Sequence, residues 1–187
     1  MERLWGEIAS VPEEQIHVLR GSERLTLGDR CIEVAYTPGH AWHHVSYFEA
    51  ATGVAFVGDT AGIHGPRLPV ILPVTPPPDF DLEAWLASIE RILSWIPDRI
   101  ALTHFGPSPK PAEHFETLRK GLLEWAGYAR LALDSSGTDQ AQLARFVEQL
   151  RSWIAGKVPP GQAERFLAGA GPEACWQGLA RYWRERE

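Results

Sequence analysis

Three short β-rich segments of this chain each stop at a turn that is followed by a side chain able to bind a metal ion. The segments are residues 30–36, 54–57 and 99–103. His40 follows the first segment, Asp59 the second and His104 the third. Neutral imidazole and carboxylate are the usual ligands of zinc, iron and manganese in hydrolytic sites. Because loops on a rigid sheet usually carry binding groups, we predict that these side chains converge at one sheet edge.

The motifs around these side chains resemble those of a known family. TPGH at 37–40, GD at 58–59 and THFG at 103–106 are similar to the later metal motifs of the metallo-β-lactamase superfamily. The resemblance covers roughly residues 30–107 in order and spacing, so it is more specific than any one short motif. It implies an α/β fold of the αβ/βα sandwich type, with two sheets between outer helices, of which this chain supplies the second half.

The resemblance also implies a role for each candidate ligand. His40 would complete the shell of one metal, His104 that of a second, and Asp59 would bridge both and serve as the catalytic residue. Two divalent ions, zinc first with iron or manganese as alternatives, would activate a hydroxide that attacks an ester, thioester or lactone carbonyl. The bridging residue is Asp and not Cys, which favours a glyoxalase II-like or lactonase-like hydrolase over a true β-lactamase.

The family's first metal motif, His-x-His-x-Asp-His, is absent upstream of TPGH. It would supply four ligands, yet His17 is the only histidine between Met1 and Pro38. Residues 1–8 resemble the final turns of a helix that lacks an N-cap. We therefore expect the chain to begin inside a longer fold and to carry half of a metal site.

Two other functions are compatible with the same residues. An iron-dependent, oxygen-using enzyme similar to a persulfide dioxygenase would also have His and Asp at these positions, and iron content with oxygen uptake would identify it. The other is a degenerate, non-catalytic fold that acts as an interaction module through its C-terminal helices. Whether the native polypeptide begins at Met1 discriminates that alternative from an enzyme.

The other histidines carry weaker signals. His43 and His44 are adjacent, so in an extended segment they point to opposite faces; structural roles are favoured, with His44 kept as a weak candidate for substrate contact. His64 lies in the loop after the second segment, where substrate contact and simple loop exposure are equally supported. His17 and His114 have no metal-binding neighbours in the sequence and are interpreted as structural.

The chain before residue 108 alternates strands with one helix. An amphipathic helix capped by Asp81 is predicted, and the proline-rich loop before it is expected to lack regular structure and to line a substrate pocket. Further strands are predicted at residues 16–19, 25–27 and 45–49. The proline-rich loop is predicted at 63–78 and the helix at 82–96.

After residue 107 no strand is predicted. Apolar residues at helical spacing predict helices at 112–133 and 140–154, and two shorter helices follow. We therefore divide the chain into a partial metallo-β-lactamase-like domain, residues 1–107, and a helical appendage, residues 108–187.

Composition narrows the partners and the compartment. The net charge of −6 gives no reason to expect nucleic acid or an anionic membrane surface, and no apolar run reaches the roughly 18 residues of a membrane span. Cys31 and Cys175 have no CxxC companion, which favours a reduced cytoplasm, and Cys31 is expected to be buried in its strand. A small-molecule substrate is expected. A half sandwich should expose an apolar sheet face, so we also expect a homo-oligomer.

Overall fold

One mixed sheet of six strands organises the chain, for which the computed structural model describes residues 9–64, 69–104 and 106–186. The strands follow one another across the sheet in chain order. They are β1 (Arg24–Leu27), β2 (Arg30–Tyr36), β3 (Val45–Glu49), β4 (Val54–Gly58), β5 (Arg99–Leu102) and β6 (Gly106–Ser108).

Strand directions decide where the strand ends lie. Strands β1 to β4 pair antiparallel, β4 and β5 pair parallel, and β6 returns antiparallel on β5. Since β2 and β4 are both antiparallel to β3, the strands β2, β4 and β5 all run in the same direction. Their carboxyl ends therefore meet at one edge of the sheet.

Helices cover one face of this sheet. Asp81 caps the first helix, because its Oδ1 accepts a hydrogen bond from the backbone N–H of Ala84 at 2.8 Å. None of the helices in the described ranges has the length and apolarity needed to cross a membrane. The helices are α1 (Leu82–Leu93), α2 (Pro111–Leu133), α3 (Asp139–Ala155), α4 (Ala163–Ala170) and α5 (Pro172–Arg184).

The two faces of the sheet differ in exposure. Phe48, Ala55 and Ile100 lie side by side in register and are buried on the inner face. On the outer face, Tyr36 and Phe56 are 44% and 42% exposed. The fold is thus α/β, with helices on the inner side of the sheet and two partly exposed aromatic side chains on the outer side.

The C-terminal helices also hold the proline-rich loop. The hydroxyl of Thr75 donates to the carbonyl of Cys175 at 3.4 Å, and a Cβ at Gly178 of α5 would overlap the Thr75 carbonyl. Arg181 donates to the carbonyl of Phe80 at 2.7 Å. One buried apolar cluster runs from the sheet through all five helices. The boundary at 107/108 stays a prediction.

Some expected elements differ in the structure. Residues 16–19 do not form a strand; Ile16 and Val18 are 55% and 69% exposed, and β1 pairs only with β2. A strand after residue 105 was not expected, yet β6 pairs with β5, and its Pro107 is tolerated because β6 lies at the sheet edge. Cys31 is exposed, since the β1–β2 hairpin extends beyond the helices.

Other expectations are confirmed. The strand at 45–49, the helices of the C-terminal region and the Asp81 cap are present. In the described part of the proline-rich loop, residues 63–64 and 69–78, the one β-type pairing is an isolated bridge between Ile63 and Leu72. The helix predicted at 82–96 ends earlier, at Leu93. The helical interpretation of residues 1–8 lies outside the described residues.

Replacing Trp85 by Ala should cost about 3–5 kcal/mol of unfolding free energy, because Trp85 is fully buried at the centre of the α1 face. Trp42→Ala removes the same side chain from a position that is 49% exposed, and should change stability by about 0.5 kcal/mol or less. Urea unfolding followed by circular dichroism measures both. Equal losses in the two variants would contradict this packing.

A buried histidine of α2 should make stability depend on pH. Nε2 of His114 donates to the carbonyl of Ala61 at 2.8 Å, and the side chain is 4% exposed. Burial lowers the pKa of His114 below its ordinary 6.5, the bond to Ala61 opposes this, and nearby His64 adds to it. His114 therefore binds its proton more weakly in the folded chain than in the unfolded chain. As pH drops below about 6.5, protonation favours the unfolded chain, so the unfolding free energy should fall.

The variant His114→Gln keeps an N–H donor but does not titrate, so its stability should fall less between neutral and mildly acidic pH. His17→Gln, at an exposed position, is the matched control and should retain the native slope. Urea unfolding at a series of pH values gives the measurement. A native slope in His114→Gln would show that another group is responsible.

Candidate metal centre

The carboxyl ends of β2, β4 and β5 bring the three predicted ligands together. Nε2 of His104 lies 3.1 Å from Oδ1 of Asp59, and Nε2 of His40 lies 3.8 Å from Oδ2 of the same carboxylate. Each oxygen of Asp59 thus faces a different imidazole. The shared direction of the three strands, argued above, is the reason that residues 64 positions apart in sequence meet here.

The TPG turn docks His40 onto α1. Gly39 has a φ of 128°, and a Cβ there would overlap the backbone of Trp85, so the close approach requires glycine. The hydroxyl of Ser88 donates to the carbonyl of Pro38 at 2.6 Å. The His40 ring then meets the Trp85 indole edge-on, with centroids 5.5 Å apart. Backbone contact with a helix therefore fixes the position of this histidine.

A main-chain carbonyl sets the tautomer of His40. Nδ1 lies 2.9 Å from the carbonyl oxygen of Val74, which can only accept, so Nδ1 carries the proton. In the neutral ring this leaves a lone pair on Nε2, the atom that faces Asp59. A metal-binding histidine is commonly oriented in this way by a partner on its other nitrogen.

Asp59 follows a glycine in a left-handed conformation and is partly buried. Gly58 has a φ of 51°, and the Asp59 side chain is 30% exposed. Its Oδ1 atom is buried and accepts no hydrogen bond from the described residues. A buried carboxylate oxygen that faces an imidazole nitrogen at 3.1 Å and accepts no hydrogen bond is compatible with a cation bound between these two atoms.

The distances from the Asp59 oxygens to the two imidazoles are close to the distance between two ligands of one metal ion. Two nitrogen or oxygen ligands of a tetrahedral zinc ion lie about 3.3 Å apart, since each lies about 2.0–2.1 Å from the metal. The His40–Asp59 and His104–Asp59 separations bracket that value. Within residues 9–64, 69–104 and 106–186, no set of three His, Cys, Asp or Glu side chains is arranged to hold one ion. The structure thus places three donor side chains at spacings that ligand pairs would have.

His44 uses both ring nitrogens inside the protein. Its Nε2 accepts the backbone N–H of Asp59 at 3.2 Å, and its Nδ1 lies 3.0 Å from the hydroxyl of Thr37 and 3.2 Å from that of Thr60. Burial, followed by the nearby His40, lowers the pKa of His44 to about 4, so the ring is neutral near pH 7. These contacts favour the structural interpretation of His44 over the weaker prediction of substrate contact.

The remaining histidines lie apart from the three ligand candidates. His64 packs edge-on against His114 with centroids 5.4 Å apart, and its Nδ1 is buried without a hydrogen-bond partner among the described residues. Substrate contact by His64 stays a prediction. His43 and His17 are exposed, and His114 is structural as predicted.

Sequence reasoning missed the groups that support the ligands. Val74 acts through a carbonyl, which has no sequence signal. Trp85 lies on the buried face of α1, where its spacing indicates packing alone, yet its indole N–H donates to the carbonyl of Thr60 at 2.8 Å beside the Asp59 turn. The hydroxyls of Thr37 and Thr60 are fully buried, and buried threonine beside a histidine could have indicated such a network.

Curated relatives match the first part of the chain. A metallo-beta-lactamase fold-containing protein of Sulfurisphaera tokodaii is 32% identical over 102 residues, which are 54% of this chain and 37% of that protein. A hydroxyacylglutathione hydrolase of Maricaulis maris is 53% identical over 36 residues, 19% of this chain and 14% of that enzyme. The matches thus span well under half the length of either relative.

Solved structures share the fold over nearly the whole chain. An archaeal metallo-beta-lactamase superfamily protein from Sulfolobus tokodaii matches 95% of this chain and 57% of its own, with a TM-score of 0.59 and 22% identity. A family protein from Thermus thermophilus matches 90% of this chain and 48% of its own, with a TM-score of 0.63 and 20% identity. The family model of the metallo-beta-lactamase superfamily matches residues 2–104. The chain therefore belongs to the metallo-beta-lactamase superfamily and contains part of its domain.

Proposed function

We propose that this chain supplies part of the metal site of a hydrolase that acts on an ester, thioester or lactone in a small molecule. The observation that carries the proposal is the Asp59 carboxylate, which directs one oxygen to His40 and the other to His104. A carboxylate whose two oxygens face different imidazoles can bridge a pair of divalent ions. The similarity to a relative named as a hydroxyacylglutathione hydrolase supports a hydrolase.

In this proposal His40, Asp59 and His104 hold the metals, with zinc favoured by the nitrogen and carboxylate donors. A bound divalent ion would supply Lewis acidity to the reaction. The residues of this chain orient the atoms that would bind the metals. His40 presents Nε2 because its Nδ1–H donates a hydrogen bond to the carbonyl of Val74. The buried Oδ1 of Asp59 is shielded from water, which strengthens its attraction for a cation.

Two protein ligands for each ion limit what the chain can do by itself. Removing one supporting partner of a metal ligand commonly costs roughly 10–100-fold in affinity, and here whole ligands are lacking. An ion held by two side chains keeps most of its water and lacks a fixed geometry. We therefore expect weak metal binding and hydrolysis no faster than in buffer for the 187-residue chain.

Zinc or manganese titrated into the chain should bind weakly, and Asp59→Asn should abolish that binding because it removes the charge shared by both positions. Asp29→Asn makes the same change of charge in the exposed β1–β2 turn and should bind as the native chain does. Calorimetry gives the affinities. Identical titrations for Asp59→Asn and the native chain would refute a metal site at this carboxylate.

A chimera can be made by fusing the segment that precedes the matched region in the Sulfurisphaera tokodaii protein to the N-terminus of this chain. This chimera should bind two metals and hydrolyse a thioester or a lactone. Asp59→Asn in that chimera should remove turnover. A chimera that binds two metals and hydrolyses neither substrate would show that the site serves another reaction. Tight binding and turnover by the chain alone would show that the half-site suffices.

We also propose that a second copy of the chain covers the outer sheet face, because the aromatic side chains of Tyr36 and Phe56 are exposed there on one continuous surface. Sedimentation should show a dimer or larger species for the native chain. Phe56→Lys should be monomeric, while Leu131→Lys, at an exposed position of α2, should associate normally. A native monomer would exclude this interface.

A further inference from the structure

The loop that carries His40 and the turn that carries Asp59 are joined by one side chain. His44 lies between the loop and β3, and its own carbonyl accepts the backbone N–H of Thr37 at 3.0 Å. The loop from Thr37 to His44 is thereby closed at its base, with His40 in its middle. The His44 ring then crosses to β4, where Nε2 accepts the backbone N–H of Asp59 at 3.2 Å.

The hydrogen-bond network assigns the proton on His44. A backbone N–H can only donate, so Nε2 must be the acceptor and Nδ1 must carry the proton of the neutral ring. Nδ1 has two hydroxyl acceptors, on Thr37 at 3.0 Å and on Thr60 at 3.2 Å. The Thr37 hydroxyl lies 2.9 Å from that of Ser46, so the network continues into β3. Thr37, Ser46 and Thr60 are all fully buried.

Gly58 makes this contact sterically possible. A Cβ built on Gly58 would overlap Nε2 of His44, and its φ of 51° disfavours any other residue. Gly28 is a useful comparison, because its φ is 66° and no atom lies within 4 Å of a Cβ built there. The glycine before Asp59 therefore provides room for the imidazole as well as a turn.

The Asp59 carboxylate depends on its backbone for orientation. Oδ1 is buried, and it faces Nε2 of His104 at 3.1 Å. The Asp59 N–H is held by Nε2 of His44. An error of even about 1 Å in the backbone would be transmitted to the distances from Asp59 to both imidazoles, with large effects on the site.

We propose that His44 is a positioning residue, which fixes the Asp59 backbone relative to the His40 loop and so sets the spacing of the metal ligands without binding metal or substrate itself. The inference rests on the proposed function, because it assumes that the spacing serves a metal. A positioning role differs from a purely structural role, because it requires the spacing of the ligands to depend on one acceptor atom, Nε2 of His44.

Nitrogen-15 NMR of the metal-free native chain tests the connection directly. The ring of His44 should be in the Nδ1–H tautomer, and the amide proton of Asp59 should exchange slowly. His44→Phe, which removes the acceptor, should speed that exchange, and His44→Gln, whose amide oxygen can accept at the same place, should keep it slow. An Nε2–H tautomer, or unchanged exchange in His44→Phe, would overturn the inference.

Cobalt(II) titration, followed by the paramagnetic shifts and broadening that the ion causes in the NMR spectrum, tests the consequence for the site. His44→Phe should weaken binding roughly 10–100-fold, the usual effect of removing a ligand's supporting partner, and His44→Gln should restore most of it. Gly58→Ala should resemble His44→Phe, whereas Gly28→Ala should bind as the native chain does. All titrations are made where urea unfolding shows each variant to be folded.

The outcomes separate the two proposals. If Asp59→Asn weakens cobalt binding and His44→Phe does not, His44 is structural only and the inference fails. If Asp59→Asn leaves the native titration unchanged, the metal proposal fails, and the NMR result alone decides whether His44 holds Asp59. Equal losses in His44→Phe and His44→Gln would also overturn the inference, because they would show that packing of the ring and not its acceptor matters.

Discussion

Trp85 is the residue on which the candidate site depends. Its indole N–H donates to the carbonyl of Thr60, its backbone lies against Gly39, and its ring meets that of His40. One fully buried side chain of α1 therefore contacts both the turn after β4 and the loop after β2. The sheet sets the direction of the strand ends, and this helix sets the distance between them.

Support for the ligands extends to the C-terminal helices. Helix α5 approaches Thr75 so closely that only glycine fits at Gly178, and the carbonyl of the adjacent Val74 accepts a hydrogen bond from Nδ1 of His40. The helical region is thus connected to the site through one loop, although none of its described side chains lies among the three ligand candidates. This arrangement gives a physical reason for the continuous core that joins the sheet to all five helices.

The strands of the site and the convergence of His40, Asp59 and His104 were predictable from sequence, and the supporting contacts were not. Residues 30–36 and 45–49 alternate at the period of a strand and end at glycine or polar turns, so their bounds were correct. Strand β6 was missed because Gly-Pro-Ser carries no strand signal and forms only through its pairing with β5. Residues 16–19 have strand-forming side chains but no partner strand. The roles of His44 and Val74 arise from chain segments that meet only in the folded protein, so local patterns could not reveal them.

The bond between His40 and Val74 has a consequence for how the sequence of the proline-rich loop can vary. Proline lacks an N–H, so a loop rich in it has more carbonyl acceptors than donors and leaves some available to other parts of the chain. The acceptor for His40 is one of these main-chain atoms, and no side-chain replacement at position 74 deletes it. The side chains of the loop can therefore change while the Nδ1–H of His40 keeps its acceptor and the ring keeps its orientation.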